Sequence, residues 1–97
     1  MKTRFEWNLV KAAANLRKHG LSFETAIRVF ADPVALFEQD RIVDGESRWQ
    51  AIGIVDNFLM LMVAHTVREH DDFEVIRIIS ARRADRSERK RYEEANG

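Results

Sequence analysis

The sequence predicts an α+β domain: a short N-terminal strand, two helices, an antiparallel meander sheet of about four strands, and a C-terminal helix. Three observations carry that expectation. Apolar residues recur at helical spacing in residues 8–30, and a capped helical pattern returns before Asn96. Between these stretches the period shortens to that of strands, broken by the turn-forming pairs Asp44-Gly45 and Asp56-Asn57. Helices and strands also come in runs rather than in strict βαβ alternation, which places helices on one sheet face and leaves the other for a ligand.

Phe5-Glu6-Trp7 alternates as a short strand does. Asn8 then suits an N-cap, and Leu9, Ala13 and Leu16 follow at helical spacing until Gly20 offers a stop. Lys18 and His19 fall in the last turn, where positive charge complements the helix dipole. Ser22 caps a second helix whose apolar residues Phe23, Ala26, Ile27 and Phe30 fit one face, and Asp32-Pro33 ends it. Val34 to Phe37 reads as a strand, as does Arg48 to Val55. Phe58 to Thr66 is almost continuously apolar, the mark of a central strand. Residues Val67 to Asp72 read as an acidic connection, and Phe73 to Ser80 as the returning strand. Asp85-Arg86-Ser87-Glu88 fits a capping box at the start of the last helix.

The 97 residues suit one domain spanning 1–97, which needs no disulfide to bury a core. With no cysteine, a thiolate nucleophile and a zinc–thiolate site are excluded. The first residues lack a signal-like apolar stretch, and no apolar run is long enough to span a bilayer. A cytoplasmic protein with no membrane partner is the expectation. The formal net charge is zero, but residues 1–20 hold five basic groups against one acid and residues 77–97 hold seven against four. The middle of the chain is acidic. If the two ends meet, one face is basic and suits a polyanion.

The junction Ile78-Ile79-Ser80-Ala81-Arg82-Arg83 points to an anion site, because guanidiniums on a rigid strand end match phosphate oxygens in position as well as charge. Arg82 and Arg83 are expected to hold a phosphate or to stabilise a five-coordinate phosphorus. The alternative is that they pair with acids of the preceding loop, such as Glu69, Asp71 or Asp72. Arg86 and Arg89 continue the basic line onto the helix. Arg77 lies between Ile76 and Ile78, and a charge there is costly unless it is paired or faces an open surface. His65, at the end of the central strand, has the chemistry of a proton shuttle, or else is structural. A symmetric Val67–Asp72 loop sets His65 and Arg77 on opposite faces, and a one-residue slip brings them together. Tyr92 aims a phenol at a phosphate or stacks on a base, or else packs its ring on the sheet. Glu46 and Arg48 offer an acid/base pair beside a phosphate contact, or are ordinary loop charges. Lys18 and His19 are further phosphate-binding candidates. The three histidines lack ligand spacing, and there is no phosphate-binding glycine loop, so no metal or cofactor is expected.

Several segments in order resemble the BrnT toxin family: Phe5-Glu6-Trp7-Asn8 with Lys11, Asn15 to Gly20, Ser22-Phe23-Glu24, Arg48-Trp49 with Gly53, Ile78 to Arg82, and Glu88. The resemblance covers nearly the whole chain. It implies a RelE-like α+β fold and a small ribonuclease toxin of a type II toxin–antitoxin pair that cleaves RNA without a metal. It further implies a BrnA-like ribbon-helix-helix antitoxin that binds operator DNA, so that the toxin meets DNA only through its partner and the complex represses its own promoter. A homodimer, or a heterotetramer with the antitoxin, fits that picture. Asn8-Leu9 stands where family members often show Asp-Pro, and Thr25 where a glutamate is common; both changes touch helix capping, worth about 1 kcal/mol. Arg82 and Glu88 match the family pattern.

Together these readings predict an endoribonuclease in which the RNA 2′-hydroxyl attacks the adjacent phosphate. Arg82 and Arg83 would steady the developing charge, Arg77 would help, and His65, Glu46 or Tyr92 would move the protons. The antitoxin is expected over the basic face. The competing class is a non-enzymatic module whose basic helix docks nucleic acid or an acidic partner within a repressor complex.

Overall fold

A computed structural model describes residues 2–97. Its elements are β1 (Lys2–Glu6), α1 (Leu9–His19), α2 (Phe23–Ala26), a 3-10 turn (Ile27–Ala31), β2 (Leu36–Val43), β3 (Glu46–Val55), β4 (Leu59–His70), β5 (Phe73–Arg83) and α3 (Arg86–Asn96). The strands form one five-stranded sheet in the order β1-β5-β4-β3-β2. β2 to β5 are the antiparallel meander, and β1 adds in parallel beside β5.

Local chemistry sets the element ends. Asn8, Ser22 and Asp85 each accept a backbone N–H in the first turn of their helices, and Asp85 and Glu88 close a reciprocal capping box. Gly20 ends α1 in the left-handed conformation at φ 69°. Asp44 and Gly45 both take positive φ between the paired residues Val43 and Glu46, the two-residue turn that matches strand twist. Asp56 and Asn57 do the same, within a three-residue connection that includes Phe58.

The inner sheet face carries Ala51, Val55, Leu61, Val63, Ile76, Ile78 and Ala81, packed against Phe23, Ala26 and Val29. Gly53 lets the 3-10 turn approach, since a Cβ there would lie 2.9 Å from Val29 Cγ1. On the outer face α3 covers one end only, packing Tyr92 with Ala84 against Ile52, Met60 and Met62. The outer face is therefore half covered rather than fully open, and the open half belongs to the far ends of β3, β4 and β5.

Two elements depart from expectation. The Val67–Asp72 segment is not a loop: β4 continues to His70, and only Asp71 and Asp72 turn before Phe73. Backbone pairing there outweighs a polar composition that resembles a loop. β5 likewise runs past Ser80 to Arg83, so Arg82 and Arg83 lie on a strand and point to opposite faces. A bulge intervenes, because Ala64 pairs with Ser80 and His65 with Ile78, leaving Ile79 extra. The bulge resets the alternation, so that Arg77 and Arg82 both face outward although five residues separate them.

α1 is also turned differently from its apolar pattern. Leu9, Val10 and Leu16 are exposed, Leu9 by 80%. The buried anchor is Asn15, whose Nδ2 donates to Leu21 O at 3.0 Å and Ala81 O at 2.9 Å while its Oδ1 accepts from Ala81 N–H at 3.1 Å. β1 ends opposite Arg77, so this part of the β5 edge has no strand neighbour, and the Asn15 amide completes it as a strand would. Asn15→Leu leaves one buried N–H and two C=O groups without their side-chain partner and is expected to lower stability by about 3 kcal/mol, read as a reduced urea midpoint at unchanged slope.

Candidate active site

The open half of the outer face is rich in cations. Thr66 pairs across the sheet with Arg77, and Arg77 with Glu6 of β1. Arg48 stands in the same row, one position before Trp49, the partner of His65. Arg68 holds Glu6 through two contacts of 2.6 and 3.3 Å, and this bond lowers the Glu6 carboxyl below its ordinary range. Arg48, Arg77 and Lys11, by contrast, have no carboxylate within salt-bridge distance among the described residues.

These three side chains meet. Lys11, Arg48 and Arg77 line one narrow recess of about 60 Å³ with Asn8, Glu46, Ile78 and Ile79. That is the space of roughly two waters, enough for the oxygens of one phosphodiester and too small for a base. The fold builds it from four places: β1 delivers the chain to Asn8, the cap starts α1 with Lys11 in its first turn, β3 supplies Glu46 and Arg48, and β5 supplies Arg77 beside its bulge. Arg48 Nε is buried and makes no hydrogen bond to another protein group.

Three expected site residues are thus brought together: Glu46, Arg48 and Arg77. Others are placed elsewhere. Arg82 is engaged in a bidentate pair with Glu88, at 2.8 and 2.9 Å, and Glu88 is only 3% exposed. The Arg82 guanidinium is raised further above its already high pKa by that bond. Arg83 points to the other face, so the shared Arg82–Arg83 anion pocket does not form, and neither residue pairs with the acids of the β4–β5 turn. Arg86 and Arg89 are exposed along α3, and Lys18 and His19 lie at the far end of α1 from Lys11.

His65 sits on the inner face, opposite in orientation to Arg77, because the hairpin turns at Asp71-Asp72 and pairs His65 with Ile78. It is 2% exposed, its Nδ1 lies 3.0 Å from Val63 O, and Phe30 and Phe37 meet its ring edge-on. Burial depresses its pKa. A histidine kept neutral in the fold contributes stability above its unfolded value of 6.5, and that contribution is lost as pH falls below 6.5. His65→Phe is expected to flatten this acid limb of the stability–pH profile in urea titrations.

Tyr92 is likewise buried and engaged within the fold, away from the recess. Its hydroxyl donates to Asp32 Oδ2 at 2.8 Å, and burial with that bond pushes its pKa up to about 12. Asp32 also accepts from Ile54 N–H, where β3 has run past the start of β2.

Lys11 and Asn8 also line the recess, and neither stood out as a site candidate in the sequence. The signal was a lysine three residues after a cap, in a basic N-terminal segment. Among the described residues no three histidine, aspartate or glutamate side chains come together as a metal-binding group, and no helix is long and apolar enough to cross a membrane.

A mixed five-stranded sheet with one recess lined by three cations that make no ion pair among the described residues defines a small α+β protein. Comparison with known proteins then gives the family. Residues 7–88 match the family described as "Ribonuclease toxin, BrnT, of type II toxin-antitoxin system", and the chain belongs to that family. Membership implies an RNA substrate and an antitoxin partner. The fold is similar to the 1.1 Å crystal structure of the Brucella abortus ribonuclease toxin BrnT, with a TM-score of 0.62 at 22% identity over 89% of this chain and 100% of that one. No curated protein sequence matches this chain.

Proposed function

We propose that this protein is a metal-independent endoribonuclease toxin whose cleavage site is the recess of Lys11, Glu46, Arg48 and Arg77. The observation that carries the reading is the convergence of three unpaired cations and one carboxylate in a space sized for a phosphate. Glu46 accepts the proton of the RNA 2′-hydroxyl as its oxygen attacks the adjacent phosphorus. Arg48 and Arg77 donate to the phosphoryl oxygens as a second negative charge develops, an interaction stronger in the transition state than in the ground state. The Lys11 ammonium donates to the departing 5′-oxygen. The products are a 2′,3′-cyclic phosphate and a free 5′-hydroxyl, with the bond to the 5′-oxygen broken as the new one forms.

The basic open face steers RNA to the recess, and Arg68 and Arg4 extend it along the sheet. The toxin acts in the cytoplasm, is neutralised by a BrnA-like ribbon-helix-helix antitoxin, and reaches operator DNA only through that partner in an autoregulating complex. The binding-module alternative leaves the unpartnered Arg48 Nε beside a carboxylate without a use.

The test is cleavage of a ribo-oligonucleotide and its all-deoxy counterpart, with EDTA present and absent. Cleavage of RNA alone, indifferent to EDTA and leaving a cyclic phosphate, is the expected result. Cleavage of the deoxy strand, or loss of activity in EDTA, contradicts the mechanism.

A further inference from the structure

The sheet separates charge between its faces. At the ends of β3 to β5 far from α3, the outer face carries Arg48, Arg68 and Arg77, whereas the inner face at the same level carries no lysine or arginine in its groove. That groove, about 600 Å³, lies where the sheet extends beyond the cover of the 3-10 turn. Its walls are apolar and partly in water: Phe37 is 48% exposed and Val67 40%, with Phe30 and Trp49 between them. An uncovered apolar surface of this kind marks an interaction site.

Its rim is acidic in an unusual way. Glu69 and Glu74 stand directly opposite each other on the β4–β5 ladder, and neither has a cationic partner among the described residues. Like charges directly across a ladder are destabilising, and a third positive group relieves them. RNA is repelled by this rim, and a second copy would bring two more glutamates to it.

Resting on the toxin–antitoxin reading above, we infer that this inner-face groove is the docking site of an amphipathic antitoxin segment, which sets apolar side chains against Phe37 and Val67 and a lysine or arginine between Glu69 and Glu74. The antitoxin then grips the toxin from the face opposite the recess. Its anchor and the RNA site are separable by mutation.

Binding of the purified antitoxin of the same operon is measured on wild-type toxin, on Glu69→Lys/Glu74→Lys and on Val67→Asp, beside RNA cleavage by each toxin alone. Val67 and Glu69 are exposed and Glu74 is half-buried, so thermal melting is used to check that each variant folds. The charge-reversed pair is expected to bind about tenfold more weakly at low salt, with a reduced salt dependence, and Val67→Asp about tenfold more weakly through faster dissociation. RNA cleavage is expected to stay at the wild-type rate for both. Wild-type antitoxin affinity in both variants overturns the assignment, as does reduced RNA cleavage, or a wild-type dimer that the variants convert to monomer. If the wild type fails to cleave RNA yet the variants lose antitoxin, the ribonuclease reading fails and the groove assignment stands.

Discussion

Arg77→Ala is expected to slow RNA cleavage by about a hundredfold to a thousandfold, the usual loss when one donor to a developing oxyanion is removed. Arg77 stands on the open outer face in register with Glu6 and Thr66, has no ion pair, and lines the recess with Lys11 and Arg48. Its removal leaves no buried carboxylate behind, so the melting temperature should move by only a few degrees. Arg48→Ala is expected to cost a similar factor, because its buried Nε has no other partner. Lysine at either position should recover only part of the rate, since a point charge lacks the planar fork. A cyclic-phosphate product assay on purified toxin reads all three.

Arg82→Ala is expected to act on stability instead. The Glu88 carboxylate is buried, accepts both Arg82 nitrogens, and also accepts Asp85 N–H at 2.9 Å to close the cap of α3. Removing the arginine strands that charge. A fully buried pair broken this way costs about 3–5 kcal/mol; the Arg82 side chain keeps 35% exposure, so about 2–3 kcal/mol is expected. That corresponds to a fall of roughly 10–20 °C in melting temperature for a domain of this size. Replacing both partners, Arg82→Met with Glu88→Leu, should recover part of the loss, because it removes the stranded charge but also the acceptor of Asp85 N–H. Differential scanning calorimetry separates the two cases.

The contrast between the two arginines shows where sequence reasoning reaches and where it stops. Caps and turns were legible because their chemistry is local: Asn8, Ser22 and Asp85 cap as expected, and Asp44-Gly45 and Asp56-Asn57 take the positive φ that their types tolerate. The meander was legible from apolar runs. The faces were not. Which way Arg82 points depends on one bulged residue, Ile79, and an isoleucine gives no bulge signal. The continuation of β4 through Arg68, Glu69 and His70 was hidden by its polarity, since those residues pair beyond the core. α1 misled for the opposite reason: Leu9 and Leu16 form an apolar stripe, yet one asparagine docks the helix and leaves the stripe in water. Glu46, Arg48 and Arg77 were all legible candidates, but their meeting with Lys11 depends on three strands and a helix start that lie far apart in sequence.

In the mechanism proposed above, chemistry takes place in the recess rather than at the strand–helix junction, and one comparison bears on that directly. Single-turnover RNA cleavage is measured for Arg77→Ala and Arg82→Ala at a temperature where calorimetry shows both to be folded. The expected result is a rate reduced at least a hundredfold in Arg77→Ala and near wild type in Arg82→Ala. A folded Arg82→Ala that has lost cleavage, beside an Arg77→Ala that retains it, would return the site to the junction and contradict the account.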